Sequence, residues 1–300
     1  MSTILKMWDA SLLAGSIKEG KINSNSYNGS NVPFIQSEYR DLQHYSATTM
    51  LPLPINKKIE HSVFIAKMID TDKIYPVIAF KGTDGFWDGV NNVYAGFEQW
   101  PSGGRVHFAF KRAVDSLRSL ILEDPLISTA LSLEQPIYLT GHSKGGALAT
   151  LAARMIYDYN NNAKLHVYTF GSPRVGDREF ADYYRRAVKQ HIRTESFGDL
   201  IPHLPLNEEE FILPNIYTDI LIADLLPDGI HQYVSVGEYN VINIDSRYNR
   251  EGIKPALGAK EDLNAYYVAI NYFVQNKNIF DDRHGVYFKQ YDINRKVGLR

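Results

Sequence analysis

Three hundred residues, 44% hydrophobic and 22% charged, describe one large globular domain or two small ones and exclude a disordered tail, a collagen or a coiled coil. With no cysteine in the chain, a disulfide scaffold, a thiolate zinc site and a cysteine nucleophile are all excluded. The 32 basic and 34 acidic residues nearly cancel, so bulk charge gives no reason to expect nucleic acid or anionic lipid as a partner.

Residues 1–15 carry a single lysine and a mixed segment broken by Trp8-Asp9, where a secretory leader would have a basic start feeding an apolar run. A cytoplasmic setting is the expectation, although leaderless export would leave the same sequence. Residues 1–50 read as partly helical, a helical N-terminal cover over one face of the domain. The Asn/Ser-rich stretch 23–31 reads as loop. From about residue 62, short β-branched or aromatic runs alternate with helix-period segments. Strands are predicted at 62–69, 74–81, 136–140, 164–170 and 192–197, and helices at 108–122, 144–157 and 178–189. After Pro205 comes an acidic, Leu/Ile-rich stretch (207–230), then a strand at 231–244 and a last helix at 264–276. The alternation implies βαβ units and a doubly wound, mostly parallel central sheet with helices on both faces, in one α/β domain spanning 1–300. The most apolar windows, such as 220–226, fall far short of the roughly 20 residues a membrane helix needs, so no transmembrane segment is expected.

Gly141-His142-Ser143-Lys144-Gly145 fits G-x-S-x-G, a pattern that chance alone would produce in roughly one chain in ten of this length. Its setting supplies the specificity. A predicted strand ends directly before it, and the helix after it is so rich in Gly and Ala that it must press closely onto the sheet. A strand turning straight into a helix at a serine forces that serine into strained dihedrals and projects its hydroxyl at the sheet edge. A helix N-terminus lies beside it to favour developing negative charge.

The run Leu139-Thr-Gly-His-Ser-Lys-Gly-Gly-Ala-Leu-Ala149 resembles the nucleophile elbow of the class 3 (fungal-type) lipase family of α/β-hydrolases. Four further segments resemble that family in the right order: Ala79-Phe-Lys-Gly-Thr83, Val106-His-Phe-Ala-Phe110, Thr169-Phe-Gly-Ser-Pro-Arg-Val-Gly176 and Phe197-Gly-Asp-Leu-Ile-Pro-His-Leu-Pro205. The resemblance covers roughly residues 62 to 290 and implies an α/β-hydrolase fold and a serine carboxylic-ester hydrolase acting on acylglycerol or similar lipid esters. Phospholipase A1 and short-chain esterase are alternatives within enzymes, and a catalytically silent binding protein is the alternative outside them.

A serine hydroxyl needs a base within reach and an acid to orient that base, in the chain order Ser, acid, His. Asp199, just past a predicted strand and among apolar neighbours, takes the acid role, and the resemblance agrees. Asp177 reads instead as a helix cap. Of the histidines after Asp199, His203 reads as a wall or surface residue and His231 as a strand-end residue. His284 lies in Asp281-Asp-Arg-His-Gly-Val-Tyr-Phe288, which resembles the family's late D-H-x-x-Y-F segment, and is taken as the base. Two positions depart from the family pattern: Ser235 stands where a histidine is usual, and Arg283 separates Asp282 from His284. The backbone N–H of Lys144, next after the nucleophile, is one expected oxyanion donor. Resemblance to the family's F-R-G-[ST] loop makes Thr83 the second.

His142 and Lys144 flank the serine on a sharp elbow and point away from it, so neither reads as the base. His107 and His166 read as structural histidines with satisfied ring nitrogens. Segment 84–97 strings Phe86, Trp87 and Tyr94 between glycines and asparagines, as either a lid that meets a lipid interface or a fixed loop with its aromatics packed inward. Phe86, Trp87 and His142 are the candidate substrate contacts. No metal-ligand spacing, phosphate loop or dinucleotide fingerprint occurs, so no cofactor is expected.

Overall fold

The structure, a computed structural model, describes residues 3–15, 17–18, 21–22, 39–50, 58–70, 72–82, 96–196, 199, 201–205 and 232–242. Helix α1 (Thr3–Gly15) leads to a short hairpin, β1 (Ile17–Lys18) with β2 (Lys21–Ile22), then to the long strands β3 (Tyr39–Met50) and β4 (Lys58–Asp70), and β5 (Lys73–Phe80). Next come β6 (Phe97–Gln99), β7 (Arg105–His107), α2 (Phe108–Leu122), α3 (Pro125–Ser132), β8 (Pro136–His142), α4 (Lys144–Tyr159) and β9 (Lys164–Phe170). The rest comprises β10 (Gly176–Asp177), α5 (Arg178–Ala187), β11 (Gln190–Ser196), a 3₁₀ turn (Ile201–His203), β12 (Tyr233–Val234) and β13 (Glu238–Ile242).

Seven strands form the central sheet in the order β13-β11-β9-β8-β5-β4-β3. Every neighbouring pair from β13 to β5 is parallel, and β4 and β3 add antiparallel at one edge. Alternation along β4 sorts the core: Val63 and Ile65 face α2, α3 and α4, while Phe64, Ala66 and Met68 face α1. On that second face α1 buries Met7, Trp8, Leu12 and Leu13, and its main chain is tied to the sheet where Thr140 Oγ1 donates to Met7 O at 2.9 Å. The doubly wound, mostly parallel sheet expected from the alternation is present. Among the described residues no helix is long and apolar enough to cross a membrane.

A second, antiparallel sheet, β12-β10-β7-β6, lies outside the first. It accounts for one difference from expectation. The strand predicted at 231–244 divides: β12 joins the small sheet, Gly237 takes φ +93°, and β13 pairs with β11 in the large one. A Cβ on Gly237 would lie 2.8 Å from the His191 ring, so both the turn and the close approach require glycine there. His231 and 243–244 lie outside the described residues, as does the helix predicted at 264–276.

Among the described residues, the helical cover predicted for 1–50 is helical over Thr3–Gly15, whereas Tyr39–Met50 is the edge strand β3. A register shift between Arg40 and Gln43, with Asp41 at φ +54°, breaks the period-2 pattern that would have marked the strand. Beyond Ser62, whose carbonyl accepts from Lys81 N–H at 2.9 Å, the β3–β4 ladder continues to Met50 opposite Lys58. It therefore stands as an arm past the end of β5, at the edge where β5 and β8 finish. Asp177 caps α5 as expected, accepting from Phe180 N–H at 3.0 Å. Asp124 caps α3, a helix whose Asp-Pro start is a readable signal.

Burial depresses the pKa of His61, His107 and His191 to about 3, with nearby cations (Lys144 for His61, Arg193 for His191) adding to the effect. His107 is buried, as expected of a structural histidine, but its ring nitrogens have no hydrogen-bond partner among the described residues; the ring stacks on Phe110, centroids 4.3 Å apart. In the unfolded chain each of these imidazoles titrates near its ordinary value of about 6.5. Their folded pKa values are lowered, so their contribution is fully present above about pH 6.5 and is lost as pH falls toward 3. Each adds a slope of up to about 1.4 kcal/mol per pH unit. Urea unfolding from pH 8 to pH 4 should therefore show stability falling steeply below pH 6.5. His107→Phe should keep neutral-pH stability and make that slope shallower by about one proton; an unchanged slope would refute the assignment.

Candidate active site

β8 runs into α4 with no connecting loop, and Ser143 sits at the junction with φ +55° and ψ −129°. That backbone conformation is costly for a residue with a Cβ, and the surrounding bonds hold it: Ser143 N–H donates to Phe170 O and Gly146 N–H donates to Ser143 O, both at 2.9 Å. Helix α4 is buried from Gly145 to Ile156, as its composition requires. Its first turn lies directly on the backbone of β5. A Cβ at Gly145 would stand 2.3 Å from Phe80 O, a distance no side chain tolerates.

The loop leaving β5 meets the same junction. A Cβ at Gly82 would lie 2.8 Å from His142 O and 3.8 Å from Ser143 Cβ. The chain thus enters Thr83 from a point beside the nucleophile candidate. Thr83 itself lies outside the described residues, as do Phe86, Trp87, His231 and His284.

The acid candidate, Asp199, lies just past the end of β11 and is 2% exposed. Its Oδ1 accepts from Ile201 N–H at 3.0 Å, which starts the 3₁₀ turn Ile201–His203. Between β8 and β11 runs β9, whose end is bonded to both. Phe170 O takes the Ser143 N–H, and Gly171 N–H donates to Thr194 O at 2.9 Å. Ser143 and Asp199 therefore stand at the C-terminal ends of parallel strands separated by a single strand, where open α/β sheets carry their sites.

Of the flanking residues, His142 turns its ring edge-on to Trp8 of α1, centroids 6.2 Å apart. The Lys144 ammonium adds to burial in holding the His61 pKa down. His203 is 1% exposed, not a surface residue, with Nε2 3.6 Å from Glu195 Oε2. Glu195 also pairs with Arg193 at 2.7 Å, both side chains buried. Sequence reasoning missed this pair. Arg and Glu alternating with Ile and Thr along β11 look like a solvated strand face, and only the cover supplied by neighbouring segments makes them interior. Among the described residues the site offers a constrained hydroxyl, the amide-rich N-terminus of α4 and, past the second strand over, a buried carboxylate, three of the parts that acyl transfer by a serine needs.

Residues 77–209 match the family Lipase (class 3). Lipase ZK262.3 of Caenorhabditis elegans is 45% identical over 85 residues, 26% of this chain and 24% of that protein. A lipase of Rhizopus niveus is 29% identical over 149 residues, 46% of this chain and 37% of that protein. The matched segments thus span well under half the length of these relatives. A solved triacylglycerol lipase, described as having a serine protease triad as its catalytic centre, superposes with a TM-score of 0.58 at 20% identity. The superposition covers 80% of this chain and 78% of that one, and shows the shared fold.

Two substitutions probe the junction. Ser143→Gly should remove the nucleophile and release backbone strain together, abolishing ester turnover while raising unfolding free energy by about 1 kcal/mol. A loss of stability would argue against strain at this position. Gly82→Ala should push the β5 loop off the elbow and lower kcat by about 10²-fold or more, the scale of a lost oxyanion donor, while the chain still folds; unchanged kcat would show that this loop does not serve the oxyanion.

Proposed function

From the match of residues 77–209 to the class 3 lipase family, we propose that this chain is a serine carboxylic-ester hydrolase acting on acylglycerols or similar lipid esters. The observation that carries the reading is Ser143, held at φ +55° between β8 and the buried helix α4, with Asp199 one strand away beyond β11. Ser143 Oγ attacks the ester carbonyl as His284 takes its proton, and Asp199 orients the imidazole and stabilises the imidazolium. The N–H groups of Lys144 and Thr83 hold the oxyanion. Collapse of the tetrahedral intermediate breaks the C–O bond, and His284 returns the proton to the departing alcohol. Water, activated by the same imidazole, then releases the carboxylate product and restores Ser143. Phe86 and Trp87, in the segment after Thr83, meet the acyl chain or the lipid surface that delivers it.

A fluorophosphonate probe should label the wild-type protein and fail to label Ser143→Ala; an unlabelled wild type would remove the catalytic reading in favour of a silent binding protein. His284→Ala should lower kcat by about 10⁴-fold or more while His231→Ala retains activity, and the reverse order would reassign the base. Initial rates on p-nitrophenyl esters of increasing chain length, and on triacylglycerol and phospholipid dispersions, separate lipase from short-chain esterase and phospholipase A1. A rise in rate once substrate exceeds its solubility is expected if segment 84–97 opens at an interface.

A further inference from the structure

Five motifs resemble the family, and two of them, Val106-His-Phe-Ala-Phe110 and Thr169-Phe-Gly-Ser-Pro-Arg-Val-Gly176, supply no group to the chemistry above; the second holds a buried arginine. Its arginine is 3% exposed. Arg174 Nη1 donates to His203 O at 2.7 Å and to Pro205 O at 3.0 Å, and its Nε donates to Ser235 Oγ at 3.0 Å. The backbone N–H of the same residue donates to Leu204 O at 2.8 Å. One residue therefore binds three consecutive carbonyls, 203 to 205, and anchors them to the segment carrying Ser235, the position at which this chain departs from the family's usual histidine.

Those carbonyls close the loop that Asp199 opens. Asp199 Oδ1 accepts from Ile201 N–H, and Leu204 N–H donates to Ile201 O at 3.1 Å. Asp199 and residues 201–205 are thus bonded together, and Arg174 pins their far end. On the other side, Arg174 lies only a few residues past Phe170, whose carbonyl accepts the nucleophile's N–H. A single stretch of chain, 170–174, therefore fixes the nucleophile at one end and the acid's loop at the other. We infer that Arg174 is a positioning residue: its guanidinium sets the location of the Asp199 carboxylate relative to Ser143. This inference rests on the triad reading above. The planar fork of Arg can hold two acceptors at fixed angles while Nε holds a third, a geometry that a lysine ammonium on a flexible stem does not reproduce.

The test is a double-mutant cycle on the full chain. Arg174→Gln should lower kcat by about 10- to 100-fold, as expected for a misplaced catalytic group, with KM changed by less than about threefold. Arg174→Lys should fall between Gln and wild type. In an Asp199→Asn background the Arg174→Gln effect should nearly vanish, because the carboxylate it positions is gone. A loss that multiplies undiminished onto Asp199→Asn, or a loss confined to KM, would overturn the positioning role and leave the triad standing. An Asp199→Asn protein with near-wild-type turnover would overturn the triad reading itself. Should Arg174→Gln fail to fold, as judged by circular dichroism, Ser235→Ala carries the same cycle. A several-fold drop in kcat that disappears in the Asp199→Asn background supports the inference, and no drop, or an additive one, refutes it.

Discussion

The approach of one helix to one sheet with no side chain between them sets most of what this molecule can do. The first turn of α4 rests on the β5 backbone at a distance that leaves no room for a Cβ at Gly145. With the helix that close, β8 must turn into it at once, which places Ser143 in its left-handed conformation, and the loop leaving β5 must pass against His142. Candidate nucleophile, helix N-terminus and candidate oxyanion loop are thus products of one contact. Holding a non-glycine residue in such a conformation costs about 1–3 kcal/mol. Burial of Leu148, Leu151, Met155 and Ile156 along the same helix contributes about 1.5–3 kcal/mol each, more than enough to offset the strain.

Polar groups in the interior obey two regimes. His191 uses both ring nitrogens, one with Thr169 Oγ1 at 3.0 Å and the other with Tyr184 Oη at 2.9 Å, and so ties β11 to β9 and to α5 while remaining neutral. Two and four residues further along β11, Arg193 and Glu195 are buried as an opposite-charge pair with His203 beside them. Removing one member of such a pair strands the other without solvent and typically costs about 3–5 kcal/mol, so this face of β11 resists change although no residue on it does chemistry. It forms the foundation beneath the loop that carries Asp199.

The parallel core was legible in the sequence because its signals are local and agree with one another. Helix Phe108–Leu122 and strand Lys164–Phe170 fall where their periodicity predicts, and α4 is buried as its Gly/Ala content demands. Legibility fails where tertiary context decides. The bulge near Asp41 hides β3, and the short strands of the small sheet, such as Arg105–His107, carry too few residues for alternation to register. The apparent single strand at 231–244 divides because its two ends join different sheets. At the candidate site, the positions of Ser143 and Asp199 at strand ends could be read because each comes directly after a strong strand signal. Arg174 could not, since a single arginine in a Pro/Gly-flanked turn carries no local mark of the three carbonyls converging on it.

Serine catalysis requires groups from separate loops to agree to within a fraction of an ångström, and separation along the chain makes that agreement a problem of transmission. The proposed donor at Lys144 is adjacent to the proposed nucleophile and inherits its position. The proposed acid has no such link and must be located through strand pairing. Between Ser143 and Asp199 the path runs through Phe170 O, the Gly171 N–H to Thr194 O bond and the Arg174 clamp, with donor–acceptor distances of 2.7 to 3.0 Å throughout. Every step uses a backbone group or a buried guanidinium, so little side-chain freedom enters the chain of reference. The relation between the candidate nucleophile and acid is thereby set by backbone bonds of the parallel core and by the loop that Arg174 and Ser235 hold.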